Sequence, residues 1–405
     1  MSAGSFTLYG PIGDHMKSRV SGGSRRRVLE CGLAALLASP WRTISASTPL
    51  QGKSYATVTP RPLAFPRDHG GHPDYRTEWW YLTGWLRTSV GRAIGFQLTF
   101  FRSRTVHPDA NPSRFAPRQL LFSHAALSID GTQRVIHADQ VSRTGFADAV
   151  FSETDTALRL NRWALDRHFI GDPGIDHYRG LIDTDDWRLS FQARTDRPPV
   201  LRGNAGLSAK GPAREQASYY YSRPHLNVVA SLGLSKGLLR GVGHQSMADL
   251  ATEQSLTGKA WLDHEWSSSL LMEGAVGWDW LGLHLDSGES WMLFRIRDGQ
   301  GRALFTETDR RDHRARRRAE SREARWEVIR LWQSPHSGAH YPVEIRLHLG
   351  DESVRIQPMM DDQEIDARAS TGGFYWEGAV RVIRDAKEVG RGYLELTGYA
   401  QPLVL

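Results

Sequence analysis

The sequence predicts an all-β protein built as two antiparallel β-barrels in tandem, and two observations carry that prediction. A tryptophan-rich pattern occurs twice, about 200 residues apart, as Glu78-Trp79-Trp80-Tyr81-Leu82-Thr83-Gly84-Trp85 and as Val276-Gly277-Trp278-Asp279-Trp280-Leu281-Gly282-Leu283. Each copy reads as a first barrel strand, followed by a turn and a second aromatic strand at residues 94–102 or 290–295, and both hairpins end in Phe-Arg. Elsewhere, short runs rich in Leu, Val, Phe, Trp and Tyr alternate with Gly, Asp, Asn and Pro turns, and helical periodicity is scarce.

Taken in order, the chain opens with an address. Ser24-Arg25-Arg26-Arg27-Val28-Leu29 resembles a twin-arginine export signal, and the apolar run at 31–38 has signal-peptide length but is too short to span a bilayer. Residues 1–48 are therefore expected to be an export signal, and the protein to be periplasmic or secreted. The stretch Asp68-His69-Gly70-Gly71-His72-Pro73-Asp74 lacks a helical ligand spacing and reads as turn formers and caps before the first strand, so no metal ligand is assigned to it. Strands are expected at 120–129, 134–137, 158–160, 163–165, 177–182, 187–193 and 256–266, and in the second half at 326–332, 343–349, 353–358, 375–382 and 390–399. Residues 231–254 are Gly-rich and read as a short helix or a lid. The boundary is placed near Leu270, which gives a first barrel over 49–270 and a second over 271–405. So many strands favour closed or nearly closed barrels, which remove sheet edges.

Charge and cysteine usage narrow the function classes. The segment 1–48 holds six Lys/Arg against two Asp/Glu, +4 of the chain's formal +6, so the remainder is close to neutral despite a pI of about 9.5. Much of the residual positive charge sits at 310–325, where eight Arg face three acids. Without interleaved stacking aromatics or a recognisable module this run reads as a solvated loop or short inserted helix, not a nucleic-acid site, with peripheral membrane association a weaker option. The single cysteine, Cys31, lies in the export signal, which leaves no disulfide, thiol nucleophile or Cys-ligated zinc beyond it. Ser123-His124 and Ser267-Ser268-Ser269 lack a nucleophile elbow, and phosphate-loop and dinucleotide fingerprints are absent, so no cofactor is expected. His124, His225 and His284 read as core or rim histidines.

Several motifs carry a family resemblance. Phe65-Pro66-Arg67-Asp68-His69, Thr77-Glu78-Trp79-Trp80-Tyr81, Tyr219-Tyr220-Tyr221-Ser222-Arg223-Pro224, Ala260-Trp261-Leu262-Asp263-His264-Glu265-Trp266, Gly277-Trp278-Asp279-Trp280, Tyr375-Trp376-Glu377-Gly378 and Gly392-Tyr393-Leu394-Glu395-Leu396-Thr397-Gly398-Tyr399 look like the AttH-like family, over roughly residues 60–400. That family is similar to carotenoid 1,2-hydratase (hydroxyneurosporene synthase), and its members are often called predicted secreted hydrolases. The resemblance implies two lipocalin-like barrels.

Strand alternation sorts the candidate site residues. In Asp263-His264-Glu265-Trp266, His264 and Trp266 share one face and the two acids the other; in Trp278-Asp279-Trp280 the carboxylate opposes both indoles. A carboxylic acid kept protonated beside indoles can protonate a C=C bond, and aromatic faces can stabilise the resulting cation. The catalytic candidates are accordingly Asp279, His264, Asp263 and Glu265, and the ligand-binding candidates Trp80, Trp266, Trp278 and Trp280. The competing reading, favoured for each acid taken singly, has these carboxylates binding Arg or backbone N–H groups while the indoles fill the core. Three classes remain: a protein binding a long apolar isoprenoid or lipid, a hydratase-type lyase, and an export or assembly accessory. Binding ranks first because it needs only the architecture and an aromatic lining.

Arg25→Lys with Arg26→Lys should hold the protein in the cytoplasm, whereas the unmodified chain should be recovered folded from the periplasm. Unchanged export of the double variant, read by fractionation, would reject the twin-arginine assignment.

Overall fold

The computed structural model describes residues 55–403 except 108–110, 114, 146–147, 170–174, 242–249, 251–253, 270 and 318–323; the segment 1–48, expected to be an export signal, and Leu270 thus lie outside the described residues. The first half contains β1 (Thr77–Arg87), β2 (Ala93–Arg104), β3 (Gln119–Ile129), β4 (Ile136–Arg143), β5 (Ala149–Phe151), β6 (Ala157–Leu160), β7 (Trp163–Phe169), β8 (Asp176–Asp183) and β9 (Trp187–Thr195). It continues with β10 (Val200–Leu201), β11 (Leu207–Ala209), β12 (Ala217–Leu234), the helix α1 (Lys236–Gly241) and β13 (Gln254–Ser267). The second half contains β14 (Ala275–Leu285), β15 (Ser290–Asp298), β16 (Ala303–Arg311), β17 (Arg325–Gln333), β18 (His340–Leu349), β19 (Glu352–Pro358), β20 (Glu364–Ala367), β21 (Gly373–Arg384) and β22 (Lys387–Leu396).

These strands form two antiparallel sheets. The first runs β4-β3-β2-β1-β13-β12-β9-β8-β7-β6-β5, with β10 and β11 on β12, and curls until β3 and β4 meet β6. The second runs β16-β15-β14-β22-β21-β19-β18-β17, with β20 on β21. The all-β reading and the two repeated hairpins hold: β1–β2 and β14–β15 are the paired openings of the two sheets.

Two regions differ from the sequence reading. Residues 231–234 belong to β12, a strand of 18 residues, and only α1 follows it before the undescribed stretch. Strand β12 stays continuous through Pro224 because its pairing with β13 slips between Arg223 and Leu226, a bulge that tolerates the missing N–H. The Arg-rich run is not a separate insertion at its start, since Arg310 and Arg311 end β16, and Arg310 is buried against the Trp291 ring and bonded to Glu352. Counting it as loop from charge alone missed that an arginine stem can pack as a hydrophobe.

Side chains fill both barrel interiors. Trp80, Phe96, Phe100, Trp163, Tyr178 and Phe191 occupy the first, and Trp291, Tyr341, Trp376, Leu281 and Leu394 the second. A third apolar cluster, including Tyr81, Trp85, Tyr220, Trp261, Trp280 and Tyr393, lies between the two sheets. The outer faces of β1, β2, β12 and β13 thus pack on those of β14, β15, β21 and β22. The contact is close: the Trp85 Nε1 donates to Gly392 O at 2.8 Å, and a Cβ on Gly95 would stand 2.5 Å from the Ala379 Cβ.

Gly95→Val should therefore cost about 1–3 kcal/mol by overpacking the seam. Gly233→Ala, where a Cβ meets nothing within 4 Å, should stay within about 0.5 kcal/mol of the parent. Denaturant unfolding that ranks the two variants equal would contradict this account of the seam.

Candidate functional site between the two sheets

Alternation along β1 sends Glu78 and Trp80 into the first barrel and Trp79 and Tyr81 toward the second sheet. Glu78 is the centre of a buried network. Its Oε1 meets His72 Nδ1 at 2.7 Å and His264 Nε2 at 2.9 Å, while its Oε2 accepts from Arg102 Nε at 2.8 Å and the His72 backbone N–H at 2.8 Å. The far nitrogen of each imidazole is also engaged, His72 Nε2 by Asp68 at 3.1 Å and His264 Nδ1 by the Tyr221 hydroxyl at 3.2 Å. Burial pushes Glu78 upward, but His72, Arg102 and His264 outweigh it and hold the carboxyl well below its ordinary range. Burial pulls His264 down to about 4.

The nitrogens and carboxylate of His72, Glu78 and His264 lie within 4.8 Å of one another, so a metal deserves a test. Two donors sharing an ion at 2.0–2.2 Å stand roughly 3 Å or more apart, whereas His72 and Glu78 are at hydrogen-bond distance, 2.7 Å. Every donor and acceptor of the group is already matched, and Arg102 adds a positive charge. The set is a hydrogen-bonded hub. Trp80 stacks on His264 at 4.5 Å and Trp266 on His72 at 3.7 Å. The structure thus sets His264, Trp80 and Trp266 apart from the cleft, on the inner face of the first sheet.

Asp279 has a parallel position in the second sheet. It is fully buried and accepts from Arg295 Nε at 2.6 Å, Arg297 Nε at 3.0 Å and the Tyr399 hydroxyl at 3.2 Å. Two guanidinium groups grip its carboxyl group, the arrangement of a structural ion pair at the barrel interior. It points away from the indoles of Trp278 and Trp280, as the alternation requires.

The remaining candidates converge. Asp263, Glu265, Trp278 and Trp280 line one cleft between the sheets, together with Trp79, Tyr81, Lys210, Tyr220, Phe294 and Glu395. The space between atoms is about 750 Å³ in this inner chamber, part of it open solvent. An outer chamber of about 1650 Å³, part of it open solvent, shares Thr77, Phe101, Trp278 and Glu395 as its wall. Trp79 and Trp278 face each other from opposite sheets, with ring centroids 6.5 Å apart and planes 15° from parallel.

The acids of this cleft differ in their partners. Asp263 accepts from the Trp261 Nε1 at 2.7 Å, the Tyr220 hydroxyl at 2.7 Å and the Ser222 hydroxyl. Glu265 pairs with Lys210 Nζ at 3.1 Å and accepts from the Ser218 hydroxyl. Burial raises both carboxyls, against Arg202 in the first case and Lys210 in the second. Among the described residues Glu395 has the Trp278 Nε1 as its one donor, at 3.0 Å, and burial lifts it to about 7, with Asp263, Asp279 and Glu265 adding to the rise. Directly across the β21–β22 ladder stands Glu377, also raised by burial and by Glu395.

Glu395 and Glu377 were missed as candidates, although both lie in quoted motifs. Alternation already puts Tyr393 and Glu395 on one face of their strand, and a carboxylate beside aromatics was the signal used for Asp279. What the sequence did not show is which of these carboxylates meets an arginine.

Comparisons agree with this architecture. The family model described as AttH-like matches residues 56–399. A crystal structure of an AttH-type protein from Nitrosomonas europaea superposes with a TM-score of 0.73 at 39% identity, covering 85% of this chain and 99% of its own. Kievitone hydratase from Nectria haematococca shares the fold with a TM-score of 0.58 at 13% identity, covering 86% of this chain and 97% of its own. A comparison with curated proteins gives no match.

The raised Glu395 sets a pH dependence. Its folded pKa, about 7, exceeds the ordinary 4.5, so the folded state holds the proton more tightly and the group's stabilisation, complete below about 4.5, is lost as pH rises through about 7. Glu395→Gln should flatten the loss of stability between those values, by on the order of 3 kcal/mol at most. Parallel stability–pH curves for parent and variant would show that Glu395 is not perturbed.

Proposed function

The chain belongs to the AttH-like family, and we propose that it is a hydratase-type lyase that adds water to a C=C bond of an elongated, largely apolar substrate held between its two sheets. One observation carries this reading: Glu395, a half-buried carboxyl raised to about 7, stands in the wall of an aromatic cleft. A carboxylic acid near its pKa at neutral pH has the protonation state and driving force that general acid catalysis needs.

In this mechanism the π electrons of the C=C bond take the Glu395 proton, and positive charge develops on the other alkene carbon. The faces of Trp79, Trp278 and Trp280 stabilise that charge. A water oxygen then bonds to the cationic carbon, and Asp263 or Glu265, across the cleft on β13, takes up the released proton, which returns to Glu395 to close the cycle. Kievitone hydratase is named for a hydration and has the same fold, which supports the scaffold but does not identify the substrate. Delivery to the periplasm by the Arg25-Arg26 signal is part of the same proposal. The second reading, binding without turnover, draws on the aromatic lining alone, and long isoprenoid or lipid ligands suit both.

Glu395→Gln keeps the side-chain shape and removes the proton. It should lower incorporation of labelled water into acyclic isoprenoid alkenes by about 100-fold or more, while tryptophan quenching by the same alkenes persists. Asp279→Asn should instead lower stability, with no separate loss of turnover. If the unmodified protein binds these alkenes and never adds water to them, the binding reading replaces the hydratase one.

A further inference from the structure

The Arg-rich run at 310–325 borders neither chamber among the described residues, and the strands it joins point to a separate use. It connects β16 to β17, the two outermost strands of the second sheet, which form no ladder with each other: β16 is laddered to β15 and β17 to β18. Four of the eleven exposed large apolar side chains among the described residues lie on these two edges, Leu304 on β16 and Val328, Ile329 and Leu331 on β17, with Leu331 56% exposed. Three of the four owe their position to irregular pairing. The β15–β16 ladder passes from Phe305 to Ala303 and skips Leu304, and the β17–β18 ladder slips on both sides of Arg330 and skips Ile329 and Leu331. Such slips re-aim side chains and break the regular row of N–H and C=O groups that an added strand needs. The edges are therefore poor templates for an incoming peptide or for the edge of a second copy. Apolar side chains standing out from an open rim can instead insert among lipids.

The charge beside the rim is of one sign. Arg314, Arg316, Arg317 and Arg325 are exposed, and the run as a whole holds eight Arg against three acids. Glu327, the one acid of β17, is met by Arg325, Arg346 and His348, while Arg330 meets Glu344 and Asp361. Apolar side chains and net positive charge thus stand together, the combination that binds a bilayer with anionic headgroups. The rim is also close to the cleft. Phe305, next to Leu304, is the register partner of Ile296, and its ring centroid lies 6.4 Å from that of Phe294; Ile296 and Phe294 both line the inner chamber.

We propose that the apolar rim of β16 and β17, with Arg314, Arg316 and Arg317 beside it, is a docking surface for an anionic phospholipid bilayer. Docking by this edge sets the inner chamber beside the membrane, where elongated apolar molecules reside. It requires no turnover and is tested without substrate.

The experiment uses the full chain carrying Cys31→Ser and a bimane label on Leu331→Cys, mixed with vesicles of phosphatidylglycerol and phosphatidylcholine in equal parts. The emission should shift to the blue when vesicles are added. The same label on Val229→Cys, an exposed position on β12 of the first sheet, should not shift, which separates docking by the rim from attachment through the basic N-terminal segment. Arg314→Ser with Arg316→Ser, two changes at exposed positions, should weaken the vesicle affinity read at residue 331 by about tenfold or more. Vesicles of phosphatidylcholine alone should leave the label unshifted. An unmoved label at 331, an equal shift at 229, an equal shift with neutral vesicles, or arginine variants that bind like the parent would overturn the proposal. So would a blue shift that grows with protein concentration in the absence of vesicles, which would assign the rim to a second copy of the chain.

Discussion

Each half of the molecule is pinned by a buried carboxylate and the arginine directly across the ladder from it. Glu78 and Arg102 are register partners on β1 and β2, and Asp279 and Arg295 are register partners on β14 and β15. The pairing explains why both hairpins end in Phe-Arg, since the arginine must reach inward while its neighbour faces the seam. It also fixes alternation: with the acid inside, the aromatic residues on either side of it in sequence are directed to the outer face of the sheet. Leaving such an arginine unpaired would be costly, so register in both sheets is set by the same device.

From that constraint the cleft follows. Trp79 and Tyr81 are turned outward by Glu78, and Trp278 and Trp280 by Asp279, so two aromatic surfaces meet between the sheets. Few arginine partners reach this seam. Arg202 spans it by bonding to Ser222 and pairing with Asp309, and Lys210 neutralises Glu265, but among the described residues Glu377 and Glu395 pair with no cation. The same kind of side chain is therefore an anchor on one face of a strand and a proton store on the other, with burial common to both and the counter-charge deciding between them.

The fold was legible because it rests on local pattern. Repeated Trp strands, period-two alternation and regular turns identified most of the long strands, but not β12 or β16. The longest strand, β12, was not among those expected, and it runs on through Pro224 because a bulge absorbs it; arginines at 310–311 did not mark a loop, because their stems pack. The site was legible only by half. Alternation separated Asp263 and Glu265 from His264 on the sequence alone. It could not tell that the indoles of Trp80 and Trp266 stack on histidines inside the first sheet, or that Asp279 meets two guanidinium groups. Those facts depend on contacts between residues far apart in the chain, as does the juxtaposition of His124 with Tyr375 across 251 positions.

The strap at 200–210 carries three contacts to the second sheet within a few residues of each other: Arg202 to Asp309, the Ser208 hydroxyl to Glu307 at 3.2 Å, and Lys210 over the Phe294 ring at 4.5 Å. Lys210 is also the counter-charge of a cleft carboxylate. Cohesion of the two halves and the electrostatics of the chamber are thus written into one short stretch of chain. A gene fragment encoding either half would yield one wall of a chamber and none of its contents. The chamber exists only as the product of both barrels and the strap that ties them.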